Sequence, residues 1–316
     1  MWGWPRVRGV ATTTNRSRRE KWRDFPLAMA MLAPSAIILS VFVLYPLGRA
    51  VWLGQQRCDN FGNNCRSNGF GQYVDLFRSS EFQHALWVTV KFALISVPLG
   101  LLLGISLAVL ADKYLRGIAV FRTVFSSTVA TSVAVASLMW LFLLQPSVGA
   151  LANVEWFSEL FPSVKDPGWL QDPGTALVAL AVSSVWANLG FTFILVTAGL
   201  QSIPRDLHEA AAVDGAGGIR RFWAITLPML GPTMLFLVIV MVSRAFQTYG
   251  EIDLLTGGGP QPEASTTTIT YFIYGNNSPI RSDVGLQAGG AVLLLSLIHI
   301  SEPTRLDARS RMPSSA

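Results

Sequence analysis

The sequence predicts an all-α, polytopic membrane protein with six transmembrane helices, the sixth of them truncated. Three observations carry that expectation. Of 316 residues, 51% are hydrophobic and only 14% charged, whereas soluble domains carry about 25% charged residues. Apolar runs at about 27–52, 85–111, 118–144, 175–200 and 227–249 are each long enough to cross ~30 Å of hydrocarbon, which takes about 20 helical residues. In lipid these runs must be helices, because an open strand edge leaves its backbone groups without partners. The formal charge of +5 would suit nucleic acid, but its placement around the apolar runs speaks for a membrane surface instead.

Residues 1–26 carry Arg6, Arg8, Arg16, Arg18, Arg19, Lys21 and Arg23 with no apolar segment before them. By the positive-inside rule this tail is cytoplasmic, and the first run is too long and too late for a cleaved signal peptide. That run ends near Tyr45-Pro46, which puts 53–84 outside. Both cysteines of the chain, Cys58 and Cys65, lie there in CDNFGNNC. On an oxidising face the expected state is a disulfide staple between them. A zinc site is not expected, since His84 is the only histidine nearby and tetrahedral zinc needs more ligands.

The second run returns inward to Asp112-Lys113-Tyr114-Leu115-Arg116. Lys91 and Arg122 fall near helix ends, where long cationic side chains snorkel. The third run leads out to 145–174, with Glu155, Glu159, Asp166 and Asp172, and Trp140, Trp156 and Trp169 flank it as an interfacial belt would. The fourth returns to the cytoplasm at 201–232, and the fifth exits to an outer segment, 250–283.

Residues 201–232 read QSIPRDLHEAAAVDGAGGIRRFWAITLPMLGP and are the longest polar interruption in the second half of the chain. Pro204 suits a first helical turn, and Asp206 and Glu209 suit the positive end of that helix. Leu207, Ala210, Ala211 and Val213 offer one small apolar face, and Gly215, Gly217 and Gly218 stop the helix. By spacing alone this is either an ordinary solvated loop or a projecting knob. Glu209-Ala210-Ala211, then Gly215, then Ile225-Thr226-Leu227-Pro228 resembles the EAA loop of the permease subunits of bacterial ABC importers. In that family the loop is a cytoplasmic coupling helix seated in a groove of the ATPase subunit. The resemblance implies coupling roles for Glu209, Ala210, Ala211, Asp214, Gly215, Ile225, Leu227 and Pro228.

From Ala198 to Tyr274 the likeness extends to permeases of the carbohydrate branch, the glycerol 3-phosphate type above all, through GLQSIPRDLHEAAAVDGAGGIRRFWAITLPML and IDLLTGGGPQPEASTTTITYFIY. Maltose, trehalose and other sugar permeases share these features. The resemblance implies a bacterial inner-membrane heterodimer with a second permease subunit, two ATPase subunits and an extracytoplasmic solute-binding protein. The chain lacks a GxxxxGK[ST] phosphate loop, so ATP is expected on the partner, with no cofactor bound to this chain. A membrane-embedded enzyme acting on lipid or phosphate esters is the rival class. It would need clustered acids, histidines or a nucleophile–base pair, and the three histidines here are far apart in sequence. A receptor or structural anchor would have no use for the coupling loop.

Polar residues within the later runs are the candidates for lining a substrate path: Trp186, Asn188 and Thr192, then Ser243, Arg244 and Gln247. Intramembrane polar groups are functional candidates by default. Their alternative roles are hydrogen bonding between helices for Asn188 and Thr192, and snorkelling for Arg244. A guanidinium also pairs well with a phosphate.

The sixth run starts near Val284 and gives way after Ile300 to SEPTR, short of the ~20 residues a crossing needs. LSLIHISEPTR resembles the in-frame translation of a transposase-type sequencing-library adapter, and SRMPSSA the flow-cell sequence that follows one. On this reading 295–316 is a non-native tail, 27–294 is the permease domain, and His299 carries no role.

Overall fold

The computed structural model describes residues 25–58, 65–112, 117–154, 159 and 168–301. The basic tail up to residue 24, the turn residues 113–116, Glu155, Trp156, Asp166 and everything from 302 onward lie outside that set. The chain divides into two units, 1–50 and 51–316.

The described part of the first unit is helical. α1 (Phe25–Leu39) leads through a π turn (Ser40–Leu44) into α2 (Tyr45–Leu53), within which the first unit ends. Pro46 has no N–H for the carbonyl four residues back and its ring crowds that carbonyl, so the turn before it widens. Large apolar side chains here are exposed, Met31 at 74% and Phe42 at 73%, as a lipid-facing helix requires.

The second unit begins with a small hairpin, β1 (Gln56–Arg57) antiparallel to β2 (Arg66–Ser67), followed by α3 (Gly71–Arg78). Cys58 and Cys65 are joined by a disulfide that closes this hairpin. Its centre is α4 (Ser80–Ala111) packed along α8 (Ala176–Gln201). α4 starts where Ser79 Oγ accepts from the Phe82 amide at 3.3 Å. The approach of the two helices depends on small residues. A Cβ on Gly104 would lie 2.4 Å from Thr192 Cγ2, and on the α8 face toward residues 118–130 a Cβ on Gly190 would lie 2.8 Å from the Phe125 carbonyl oxygen. Three apolar clusters surround this pair, centred on Phe92 and Leu180, on Phe82 and Phe272, and on Phe193 and Leu237.

Run 118–144 is not one helix. α5 (Ile118–Ser127) passes through a 3₁₀ turn (Thr128–Ala130) and meets α6 (Val133–Leu144) at 106°. Ser127 and Thr128 hydroxyls donate to the Val124 and Phe125 carbonyls at 2.8 and 3.1 Å, and Ser132 accepts from the Val135 amide at 3.3 Å as a new N-cap. Hydroxyls that bond backbone locally compete with the helix ladder, a conflict that a hydropathy window does not register. α7 (Ala150–Asn153) follows. Trp140 and Trp169 pack, partly buried, against the Phe92–Leu180 cluster, and Trp140 meets Trp186 edge-on at 6.3 Å.

After α8 come α9 (Arg205–Val213), α10 (Gly218–Arg221), a π turn (Phe222–Thr226), α11 (Leu227–Met229) and α12 (Gly231–Gln247). The fifth run therefore bends by 67° between Met229 and Gly231, where Pro228 and Pro232 each remove a backbone donor.

Segment 250–283 is folded and largely buried. α13 (Gly250–Leu255) buries Glu251, Ile252 and Leu255, and α14 (Ile269–Tyr274) buries most of its length. Threonines stitch it to the spans: Ile269 N–H donates to Thr89 Oγ1 at 2.8 Å, Thr268 Oγ1 to the Thr248 carbonyl at 3.2 Å, and Thr270 Oγ1 to the Phe246 carbonyl. The hydroxyls of STTTIT are buried at little cost because they have partners. α15 (Val284–Ser301) closes the unit. Asp283 Oδ1 caps it through the Gly285 and Leu286 amides at 2.8 and 3.1 Å and also accepts from the Cys58 amide at 3.2 Å.

By length and composition three helices can cross a membrane, or up to five if each bent pair is one span, with Val284–His299 a shorter apolar helix. The fold class is the expected all-α membrane architecture.

Candidate functional site

Two places concentrate the candidate residues. The first is the elbow built from α9. Asp206 sits in its first turn, where the unsatisfied amides favour a carboxylate. The helix ends in a paired cap: Ala216 N–H donates to the Ala211 carbonyl at 2.9 Å and Gly215 N–H to the Ala212 carbonyl at 3.1 Å, a Schellman arrangement. Gly215 holds it with φ +77° and has open space where a Cβ would stand, so backbone conformation and not crowding demands the glycine. Arg221, on the returning chain, donates from Nη1 to the His208 carbonyl at 3.4 Å and braces the helix from behind.

Glu209, Ala210 and Asp214 are exposed and Ala211 half-buried, and Val213 (89%), Ile219 (80%) and Trp223 (64%) add bare apolar surface around them. Ile225 lies in the π turn, and Leu227 and Pro228 open α11, so they belong to the return that carries the elbow back into the span. The elbow is thus a rigid, small-residue helix presented on an apolar apron with little of its own chain covering it.

The second place is a cavity of about 480 Å³ lined by α4, the 129–133 corner, α8, the end of α12 and α13. Asn188, Arg244 and Gln247 line it together. Arg244 donates from Nη1 to Asn188 Oδ1 and stacks its guanidinium over the Phe191 ring at 4.5 Å, which fixes the fork from two sides. The other path candidates stand outside the lining. Thr192 is buried, bonding to the Asn188 carbonyl at 3.3 Å; Trp186 packs on Trp140; and the Ser243 hydroxyl is buried without a partner. Lys91 lies 5.5 Å over the Trp87 ring, and Arg122 caps the Ala111 carbonyl at 2.7 and 3.1 Å, a fixed role in place of free snorkelling.

Sequence reading missed the most unusual member of the cavity wall. Glu251 is 8% exposed and its Oε2 has no hydrogen-bond partner. It was assigned to the outer segment, although an acid directly after Tyr249-Gly250 and directly before IDLL was a signal that this stretch was not plain loop. Tyr249, Ser184 and Thr131 join the same wall. A guanidinium, two amides and a buried carboxylate can hold a small polar solute by charge and by hydroxyl hydrogen bonds. No group of three or more potential metal ligands occurs among the described residues.

Residues 96–302 match the family described as binding-protein-dependent transport system inner membrane component. The sn-glycerol-3-phosphate transport system permease protein UgpA of Salmonella typhimurium is 35% identical over 285 residues, covering 90% of this chain and 94% of that protein. The protein of the same name from Shigella flexneri is 36% identical over the same shares. A crystal structure of a bacterial ABC transporter involved in import of the acidic polysaccharide alginate superposes with TM-score 0.72 at 25% identity, over 93% of this chain and 99% of that one. Another, of a bacterial alginate ABC transporter in complex with an alginate pentasaccharide-bound periplasmic protein, gives TM-score 0.70 at 26% identity, over 91% and 96%.

Proposed function

We infer the function of this chain from the family to which it belongs, the binding-protein-dependent transport system inner membrane components. It is the membrane permease subunit of an ABC importer for a sugar or sugar phosphate, works with a separate ATPase and a solute-binding protein, and carries out no chemistry itself. The finer reading follows from the two sites. Its N-terminus and the α9 elbow face the cytoplasm, and the assembly holds a second permease subunit and two ATPase subunits. The elbow is the coupling helix, with Glu209, Ala210, Ala211, Asp214 and Gly215 at the ATPase contact and Ile225, Leu227 and Pro228 transmitting movement into the fifth span.

The observation that carries this reading is the exposed α9, ended by a Schellman cap at a left-handed glycine and bearing small side chains. A lever needs a stiff helix that a partner can approach closely. Closure of the ATPase dimer would draw such helices together and rock the bundle outward; hydrolysis would reset it.

The substrate proposed is glycerol 3-phosphate or a related sugar phosphate, held in the cavity by Arg244, Asn188 and Gln247. The guanidinium supports it, as does the likeness to sn-glycerol-3-phosphate transport system permease proteins at 35% identity. A neutral disaccharide is the second reading, favoured by Glu251, whose open oxygen suits a hydroxyl donor better than a phosphate. Uptake of labelled glycerol 3-phosphate against a panel of disaccharides, in cells carrying the whole importer, decides between them. Saturable uptake of the phosphate ester that unlabelled disaccharide does not compete supports the first reading, and the reverse pattern overturns it. Residues 295–316 remain proposed as adapter-derived, although α15 runs to Ser301. Genomic resequencing that encodes SLIHISEPTR and then LDARSRMPSSA and a stop would refute this.

A further inference from the structure

A second cavity, of about 590 Å³, opens beside the elbow, away from the proposed substrate path. Its wall joins the end of α4 (Asp112), the start of α5 (Arg122), the end of α8 (Gln201), the elbow helix (Arg205, His208) and the returning α10 (Arg221). Arg122, Arg221 and the His208 imidazole thus share this wall with one carboxylate, Asp112. Like charges are not gathered around a concavity without cost, since each lowers the affinity for the next until an anion offsets them.

Two of the guanidiniums are already fixed in place by neutral groups. Arg122 spends Nε and Nη2 on the Ala111 carbonyl at 3.1 and 2.7 Å, and Arg221 spends Nη1 on the His208 carbonyl at 3.4 Å. Both are half-buried, and neither has a carboxylate partner within ion-pair distance among the described residues. A carbonyl positions a guanidinium without neutralising it. The arrangement is preorganised for a multiply charged oxyanion, which accepts from a planar fork with better geometry than from a point charge. Its level fits the same ligand: α4 ends at Ala111 and α8 at Gln201, so the cavity lies where two spans give way to the elbow. Basic pockets between helices at that depth take anionic head groups.

We propose that this cavity is a binding site for a phosphorylated anion, which bridges Arg122 at the span ends to His208 and Arg221 at the elbow. An anion seated there ties the elbow to the bundle and alters how freely it follows a partner, which makes the site a regulatory one. It does not depend on which solute is imported.

The shared chemistry, a phosphate group, has two sources, an anionic phospholipid and a soluble phosphate. The test uses the assembled importer in nanodiscs without imported solute, so its outcome does not depend on the substrate reading. One arm compares neutral phosphatidylcholine discs with discs containing phosphatidylglycerol, reading retained lipid by native mass spectrometry. The other titrates inorganic pyrophosphate into neutral discs by calorimetry. In either arm, Arg122→Gln with Arg221→Gln should weaken binding at least 10-fold, while Arg122→Lys with Arg221→Lys, which keeps charge but loses the fork, should weaken it less. Basal ATPase activity should shift on ligand addition in wild type and not in the glutamine pair. Should the glutamine pair fail to assemble, the lysine pair and the single Arg221→Gln variant carry the comparison. Binding that is equal in wild type and these variants, or absent in both arms, overturns the proposal. So does loss of ATPase subunit capture in the charge variants without any phosphate binding, which would assign the cluster to an acidic protein partner.

Discussion

The elbow and the cavity around Arg244 belong to one chain and are built by opposite means. The elbow is local: Arg205 to Gly218 contains its helix, its stop and its presentation, and its key geometry is three backbone bonds around one left-handed glycine. The cavity is assembled from segments as far apart as Phe92 and Glu251, and its key geometry is a side-chain network, Arg244 to Asn188 and Phe191. A lever must keep its shape while exposed to a partner, so it relies on backbone. A solute site must release what it holds, so it relies on side chains that can change partners.

The sharpest way to break the comparison is at the glycine. Gly215→Val forces a β-branched residue to φ +77°, which costs about 1–2 kcal/mol or more for an L-residue. The space around it is empty, so the protein should insert and assemble. Uptake should fall by at least 10-fold, or ATPase activity should lose its dependence on the solute-binding protein. Wild-type uptake by an assembled complex would remove the elbow's assigned role. Glu209→Lys should act in the same direction.

A packing control separates lever from scaffold. Gly190→Leu drives a side chain at the Phe125 carbonyl, 2.8 Å from the new Cβ, and should destabilise the bundle by about 1–3 kcal/mol. The readout is the thermal unfolding midpoint in detergent, where Gly215→Val should change far less. If Gly215→Val melts the protein as much as Gly190→Leu does, the glycine is structural.

At the cavity, Arg244→Ala should weaken uptake of an anionic solute more than Arg244→Lys, since both lose the fork but only one loses the charge. Glu251→Gln should raise KM for a hydroxylated solute several-fold with little change in maximal rate, measured by initial-rate uptake. Equal uptake by wild type and both Arg244 variants would return that arginine to a snorkelling role.

Much of the elbow was legible in sequence because a capped helix is written in consecutive residues: Pro204, Asp206 and Gly215 each mark a local requirement. The five apolar runs were legible for the same reason, as hydrophobicity over a window is a local property. What escaped was non-local. The corner at Thr131-Ser132 depends on hydroxyls bonding to carbonyls one turn back, which hydropathy records only as mild polarity. Glu251 looked external because a buried carboxylate is costly, and nothing near it in sequence shows that Ser184 and Arg244 share its cavity. The contact of Trp140 with Trp186 joins residues 46 positions apart, which a reading by residue type does not register.

A smaller effect is expected at the hairpin. Replacing Cys58 and Cys65 by serine opens a loop with a sequence separation of 7, worth about 2 kcal/mol by chain entropy. Because Asp283 also accepts from the Cys58 amide, the change should be felt at the start of α15. Hydrogen exchange there should quicken while uptake stays within about twofold, and unchanged exchange would uncouple the hairpin from the sixth helix.

The central claim is that the exposed α9 elbow is where an ATPase drives this permease. Its most direct measurement is site-specific cross-linking: a cysteine placed at Ala211 on a Cys58→Ser, Cys65→Ser background, within the co-expressed importer, probed with a short bifunctional reagent with and without ATP. The account expects one cross-linked product containing the ATPase subunit, formed from Ala211→Cys and not from a control cysteine at Val148 in the segment placed outside. A permease that purifies with its ATPase yet gives no cross-link from Ala211, or an equal one from Val148, would contradict it.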